Sequence, residues 1–146
     1  MINAKDSKNT FYILNKKENT PIVLIHGVGL NHKIWDPQIN SFDNTVLVYD
    51  ILGHGNTPLT KSQISFDDFS LQLLNLIDEL KFEKMHLVGF SIGSLIARNF
   101  ASKYNNRLES LTLLCSIFQR SNEQQQIVND RFELSKKSRF FIKTSS

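Results

Sequence analysis

A serine stands between two glycines in Gly89-Phe90-Ser91-Ile92-Gly93, the spacing G-x-S-x-G. That arrangement suits nucleophilic attack by a hydroxyl on a carbonyl carbon. For the hydroxyl to be reachable, the chain must turn sharply between a strand and a helix, with Ser91 at the tip. Glycines at 89 and 93 omit the β-carbons that would collide with the neighbouring strand and helix. The N–H of Ile92 then opens a helix, where the aligned peptide dipoles favour a developing negative charge. The plain alternative is a Gly-Ser turn serving geometry alone.

Acyl transfer needs a second N–H aimed at the same oxyanion. The loop His26-Gly27-Val28-Gly29 can supply it from Val28, with His26 and Gly27 supporting the loop. Read alone, this loop is also a strand-ending turn whose histidine is held by backbone hydrogen bonds. A third small segment, Asp50-Ile51-Leu52-Gly53-His54-Gly55, reads as a tight loop shaped by Asp50 and the glycines. Direct catalysis by Asp50 or His54 is the alternative there.

These loops need strands in front of them. Residues 22–25, Ile-Val-Leu-Ile, form a continuous apolar run, as expected of a strand buried on both faces. Residues 45–49, 85–88 and 111–115 share that character, and 11–14 predict a shorter strand. Between them lie helical patterns. Ser65 with Asp68 makes a near capping box before a helix whose buried side would carry Phe66, Phe69, Leu73, Leu76, Ile77 and Leu80. Residues 92–104 predict a second helix through Leu95, Ile96 and Phe100. Residues 121–135 give a third, weaker pattern with Ile127, Val128, Phe132 and Leu134. Strands alternating with helices imply an α/β fold, a mostly parallel sheet flanked by helices. In such sheets the chemistry gathers at the carboxyl ends of the strands, and all three loops fall there.

The 146 residues suit one domain, residues 1–146, and the formal charge is +3. Part of the basic excess sits late, at Lys136, Lys137, Arg139 and Lys143, and is not interleaved into a groove-like pattern. A nucleic-acid partner is therefore disfavoured. The single cysteine, Cys115, excludes an internal disulfide framework, and beside Leu113 and Leu114 it reads as a small buried hydrophobe. No apolar run is long enough to span a bilayer, and residues 1–10 lack a signal-peptide core. These features predict a cytoplasmic protein with no membrane partner.

The order 22–29, 49–55, 89–93, with helices between, resembles the N-terminal part of the α/β-hydrolase superfamily. Within it the chain is similar to the small serine carboxylesterases and the 3-oxoadipate enol-lactonase-like hydrolases. Residues 31–39, with Trp35-Asp36-Pro37-Gln38, resemble the segment after the oxyanion loop, and 118–131 more loosely resemble the start of a cap region. The similarity runs from about residue 11 to residue 131. It implies that Ser91 is the nucleophile, that Val28 and Ile92 hold the oxyanion, and that Phe90 and Ile92 border the acyl pocket. Relatives acting on alkyl halides or epoxides carry Asp at the nucleophile position, so Ser91 favours a small ester, lactone or thioester. Neither a metal nor an organic cofactor is implied.

The family's triad runs in chain order Ser, then Asp or Glu, then His. All four histidines here (His26, His32, His54 and His86) precede Ser91. His32 reads as a loop residue and His86 as a packed or hydrogen-bonded strand histidine. Glu109, Glu123, Asp130 and Glu133 follow Ser91, but none stands after a strand where the family places its acid. The resemblance thus implies a domain truncated before the cap and the last two strands, with little turnover of its own. A non-catalytic remnant or regulatory partner is the alternative. A bare apolar strand at 111–115 would also favour self-association through a sheet edge.

Overall fold

Short aliphatic runs pair into one sheet whose strands follow the order β1-β2-β4-β3-β5-β6. The computed structural model describes residues 1–117 and 119–142. The strands are β1 (Ile2–Lys5), β2 (Phe11–Asn15), β3 (Asn19–Ile25), β4 (Asn44–Tyr49), β5 (Met85–Phe90) and β6 (Leu108–Leu114). β3, β4, β5 and β6 run parallel to one another, while β1 and β2 are antiparallel additions on one side. The parallel part is the sheet that the alternating strand and helix patterns predict.

The continuous apolar run of β3 is explained by cover on both faces. Val23 and Ile25 pack with Leu47, Tyr49 and Leu87 against two helices, α1 (Phe66–Glu79) and α2 (Ile92–Tyr104). Ile22 and Leu24 point the other way, into a cluster with Trp35, Ile39, Val46 and Val48. Successive side chains of a strand face opposite sides, so only a run without polar gaps can fill both layers.

Helix α1 starts on a full capping box. The Ser65 hydroxyl accepts the Asp68 N–H at 3.3 Å, and the Asp68 carboxylate accepts the Ser65 N–H at 2.8 Å. A hydrogen bond from Lys61, reinforced by those from Ser65, lowers the Asp68 carboxyl pKa to about 2. Leu73, Leu76 and Ile77 are buried as the spacing predicts. Phe66 is not. It sits in the first turn, exposed, along an open groove that Leu95 and Leu111 also line.

Two further differences from the sequence reading lie at strand margins. β1 was not expected, because it forms an outer edge of the sheet and is largely exposed, so it carries no apolar pattern. β6 begins earlier than predicted and ends at Leu114, leaving Cys115 outside it. Cys115 is exposed with φ +53°, so it is not the buried small hydrophobe its neighbours suggest. The pairing with β5 stops at Phe90↔Leu114, and the chain bends at the next residue.

The chain divides into two compact units, Met1–Ser116 and Ile117–Ser146. In the second, α3 (Asn122–Ile142) runs beyond the predicted 121–135. Its start is fixed by Ser121 and Gln124, each accepting the other's backbone N–H on its side chain. Ile127, Val128 and Leu134 on α3 are exposed, and Phe118 lies outside the described residues. Among the described residues, no helix is long and apolar enough to cross a membrane.

Candidate active site

Parallel register brings the three loops together. Ile25, the last residue of β3, pairs with Tyr49 of β4 on one side and Gly89 of β5 on the other. The strands therefore end at one level, and the segments after them emerge side by side.

Ser91 joins β5 to α2 with φ 56° and ψ −118°, a strained backbone for a residue with a β-carbon. Such a conformation costs about 1–3 kcal/mol and persists only where its surroundings over-determine it. Here they do. The Ser91 N–H donates to the Leu114 carbonyl of β6 at 3.0 Å, and the Ser91 carbonyl accepts the Ser94 N–H at 3.0 Å.

The flanking glycines are required by close approach. A β-carbon on Gly89 would lie 2.2 Å from the Gly93 carbonyl oxygen. One on Gly93 would lie 2.6 Å from the Ile25 carbonyl oxygen and 2.7 Å from that of His26. The first turn of α2 thus rests directly on the backbone where β3 gives way to its loop.

That loop closes as a four-residue turn, with the Leu30 N–H donating to the Gly27 carbonyl at 3.2 Å. Gly29 supplies the positive φ, +72°, that the third position of such a turn demands. Val28 stands at the tip. Among the described residues, neither its N–H nor that of Ile92 has an acceptor. The Phe90 ring packs beside Gly27, 3.2 Å from where a β-carbon would stand, so the residue before Ser91 lies against the loop.

The histidines are committed elsewhere. His26 is fully buried, with Nδ1 2.8 Å from the Gly27 carbonyl and Nε2 accepting the Ile51 N–H at 3.1 Å. A ring nitrogen that accepts carries no proton, so the proton sits on Nδ1 and donates to Gly27. Burial lowers the His26 pKa, and the Gly27 carbonyl opposes that only in part. His32, expected in a loop, opens a short 3-10 turn (His32–Trp35) and is buried. His54 bonds the Leu52 carbonyl, and His86 pairs with the Ser110 hydroxyl at 2.8 Å. None of these bonds involves Ser91.

Asp50 shapes its loop, as read from the sequence. Its buried carboxylate accepts the backbone N–H groups of His32 (2.7 Å) and Asn56 (2.8 Å), and the His32 ring nitrogen lies at 2.9 Å. Gly55 is needed because a β-carbon there would fall 2.1 Å from Asp50 Oδ2. The glycines of 50–55 signalled this crowding. Nothing local to His32 did. Among the described residues, no group of three or more His, Cys, Asp or Glu could hold a metal ion.

The family described as alpha/beta hydrolase fold matches residues 20–144. The chain belongs to this family. It is 28% identical over 140 residues to (E)-2-((N-methylformamido)methylene)succinate hydrolase of Acinetobacter baylyi, covering 94% of this chain and 53% of that protein. It is 31% identical over 100 residues to 3-oxoadipate enol-lactonase 1 of the same organism, covering 66% of this chain and 37% of that protein. The crystal structure of an alpha/beta hydrolase from a Medee basin deep-sea metagenome library superposes with a TM-score of 0.82. That match covers 90% of this chain and 50% of the other at 23% identity, a likeness of fold. The chain spans about half the length of the first curated relative and less of the second.

Two expectations follow for this α/β-hydrolase site. Gly89→Ala forces a β-carbon into the backbone of α2 and should lower stability by about 3 kcal/mol, the upper range for overpacking, read as a fall in the urea midpoint. The second concerns His26. Its pKa is lowered in the folded state, so its contribution to stability is intact above the ordinary value of 6.5 and is lost as pH falls below it. The loss of urea midpoint from about pH 7.5 to about pH 5.5 should shrink in His26→Gln relative to the unsubstituted chain.

Proposed function

We propose that Ser91 is the nucleophile of a hydrolase acting on a small carboxylic ester or lactone. The observation that carries this is the strained Ser91 backbone between Gly89 and Gly93. The serine Oγ bonds to the carbonyl carbon while its proton passes to a base. The carbonyl oxygen becomes an oxyanion, held by the N–H groups of Val28 and Ile92. Collapse expels the alcohol, which takes a proton, and water then cleaves the acyl-serine. The reaction draws on no metal or organic cofactor.

Val28, Leu30 and Leu59 expose apolar surface on the loops after β3 and β4, and Phe90 flanks Ser91, so an apolar acyl group suits the approach. Two relatives, by name a hydrolase and an enol-lactonase, support the substrate class. The base is a separate matter. Both nitrogens of His26 are engaged, Asp50 holds His32, and no histidine follows Ser91. We infer that these 146 residues carry the nucleophile and the oxyanion donors without the imidazole that would activate them, so their own turnover is low. The second reading, a non-catalytic protein with an intact serine turn, rests on the commitment of His26 and His32 to their loops.

A fluorophosphonate probe with mass-spectrometric site mapping separates the two. Slow modification of Ser91, quickened by free imidazole and abolished in Ser91→Ala, is the expected result. Modification of other residues with Ser91 untouched would establish the non-catalytic reading. Fast labelling without imidazole would show that a base is already present.

We also propose that the free edge of β6 pairs with β6 of a second copy. Among the described residues β6 pairs with no strand but β5, and Leu111, Leu113 and Leu114 are exposed on it. An antiparallel pair of identical edges is self-complementary about a twofold axis. Size-exclusion chromatography should show a dimer that Leu113→Lys converts to monomer; a monomeric unsubstituted chain at high concentration would refute the pairing.

A further inference from the structure

We propose that Asp50 and His32 form a positioning pair that fixes the Val28 N–H for the oxyanion; this rests on the serine-hydrolase reading above. The turn bearing Val28 is fastened at both ends, and the two fastenings reach adjacent residues after β4, Ile51 and Asp50. At the near end, the His26 ring spans from the Gly27 carbonyl to the Ile51 N–H. At the far end, Asp50 takes both the backbone N–H and the ring Nδ1 of His32 on a single carboxylate oxygen. Asn31 stiffens the same point, its side chain accepting the Lys33 N–H at 3.0 Å.

The anchoring segment is itself immobilised. The Asp50 N–H donates to the Phe11 carbonyl of β2 at 3.0 Å. Gln72 of α1 donates to the Asp50 carbonyl at 3.0 Å and accepts the Leu52 N–H at 3.1 Å. Asp50 is 0% exposed, so water does not compete for its oxygens. This wiring exceeds what the loop after β4 needs for its own turn, which the Asn56 N–H and the glycines satisfy. The His32 bonds instead tie in the strand-β3 loop. Val28, exposed and with no acceptor for its N–H among the described residues, sits between two fixed points.

An N–H displaced by a fraction of an ångström aligns poorly with a tetrahedral oxyanion, and misplacement of this kind costs roughly 10-fold to 100-fold in rate. The test measures fluorophosphonate labelling of Ser91 in the presence of free imidazole, separating the maximal rate from half-saturation. His32→Ala, which deletes the ring donor, should lower the maximal rate at least roughly 10-fold with half-saturation unchanged. His32→Asn, which keeps a donor near the place of Nδ1, should restore most of it. Asp50→Asn should fall with His32→Ala, and thermal unfolding of the two His32 variants reports whether they remain folded.

An unchanged maximal rate in folded His32→Ala would overturn the proposal. So would equal losses in His32→Ala and His32→Asn, or a change confined to half-saturation. If Asp50→Asn fails to fold, the His32 pair still decides. If the unsubstituted chain is never labelled at Ser91, the serine reading fails and this proposal with it.

Discussion

The contact on which the site depends is the approach of the first turn of α2 to the end of β3. Gly93 lies so close to the carbonyls of Ile25 and His26 that no side chain fits between them. This proximity sets the angle at which α2 leaves β5, and with it the positive φ forced on Ser91. It also brings the start of the helix beside the loop that carries Val28. Moving the helix outward by the width of one methyl group would draw its first turn away from that loop. The glycine is therefore a statement about distance between elements as much as about local flexibility.

The sheet makes that approach stable. Four parallel strands end at one level, β3 and β4 among them covered on both faces, and the loops above them inherit their spacing. Hydrogen bonds then act across loops as well as within them. His26, Asp50 and Gln72 each join segments that are distant in sequence. A buried carboxylate that accepts several donors is costly to leave half-satisfied, so these loops hold or fail together.

Much of this was legible in the amino-acid sequence because the signals were local. The serine between two glycines, the Ser65 and Asp68 pair, and the unbroken run of β3 each reflect constraints acting within a few residues. Asp50 was readable through the glycines around it. What escaped depended on partners elsewhere. His32 carries no local mark of burial; its role exists only because a carboxylate from another loop reaches it. β1 lies on a solvent-facing edge, where no apolar alternation is selected. Phe66 and Cys115 look like core by composition, but the groove beside one and the end of pairing at the other leave both exposed.

The hydrogen bond that ties the Ser91 N–H to the Leu114 carbonyl has a kinetic meaning. Within its own turn the strained serine backbone is held only through its carbonyl, by Ser94; its N–H finds its acceptor when β6 has docked alongside β5. That pairing closes a long loop, and long-range contacts in parallel sheets form slowly. The geometry at Ser91 is thus assembled after the strands that surround it. Its loosening through local opening follows the same order in reverse, beginning wherever β6 lets go.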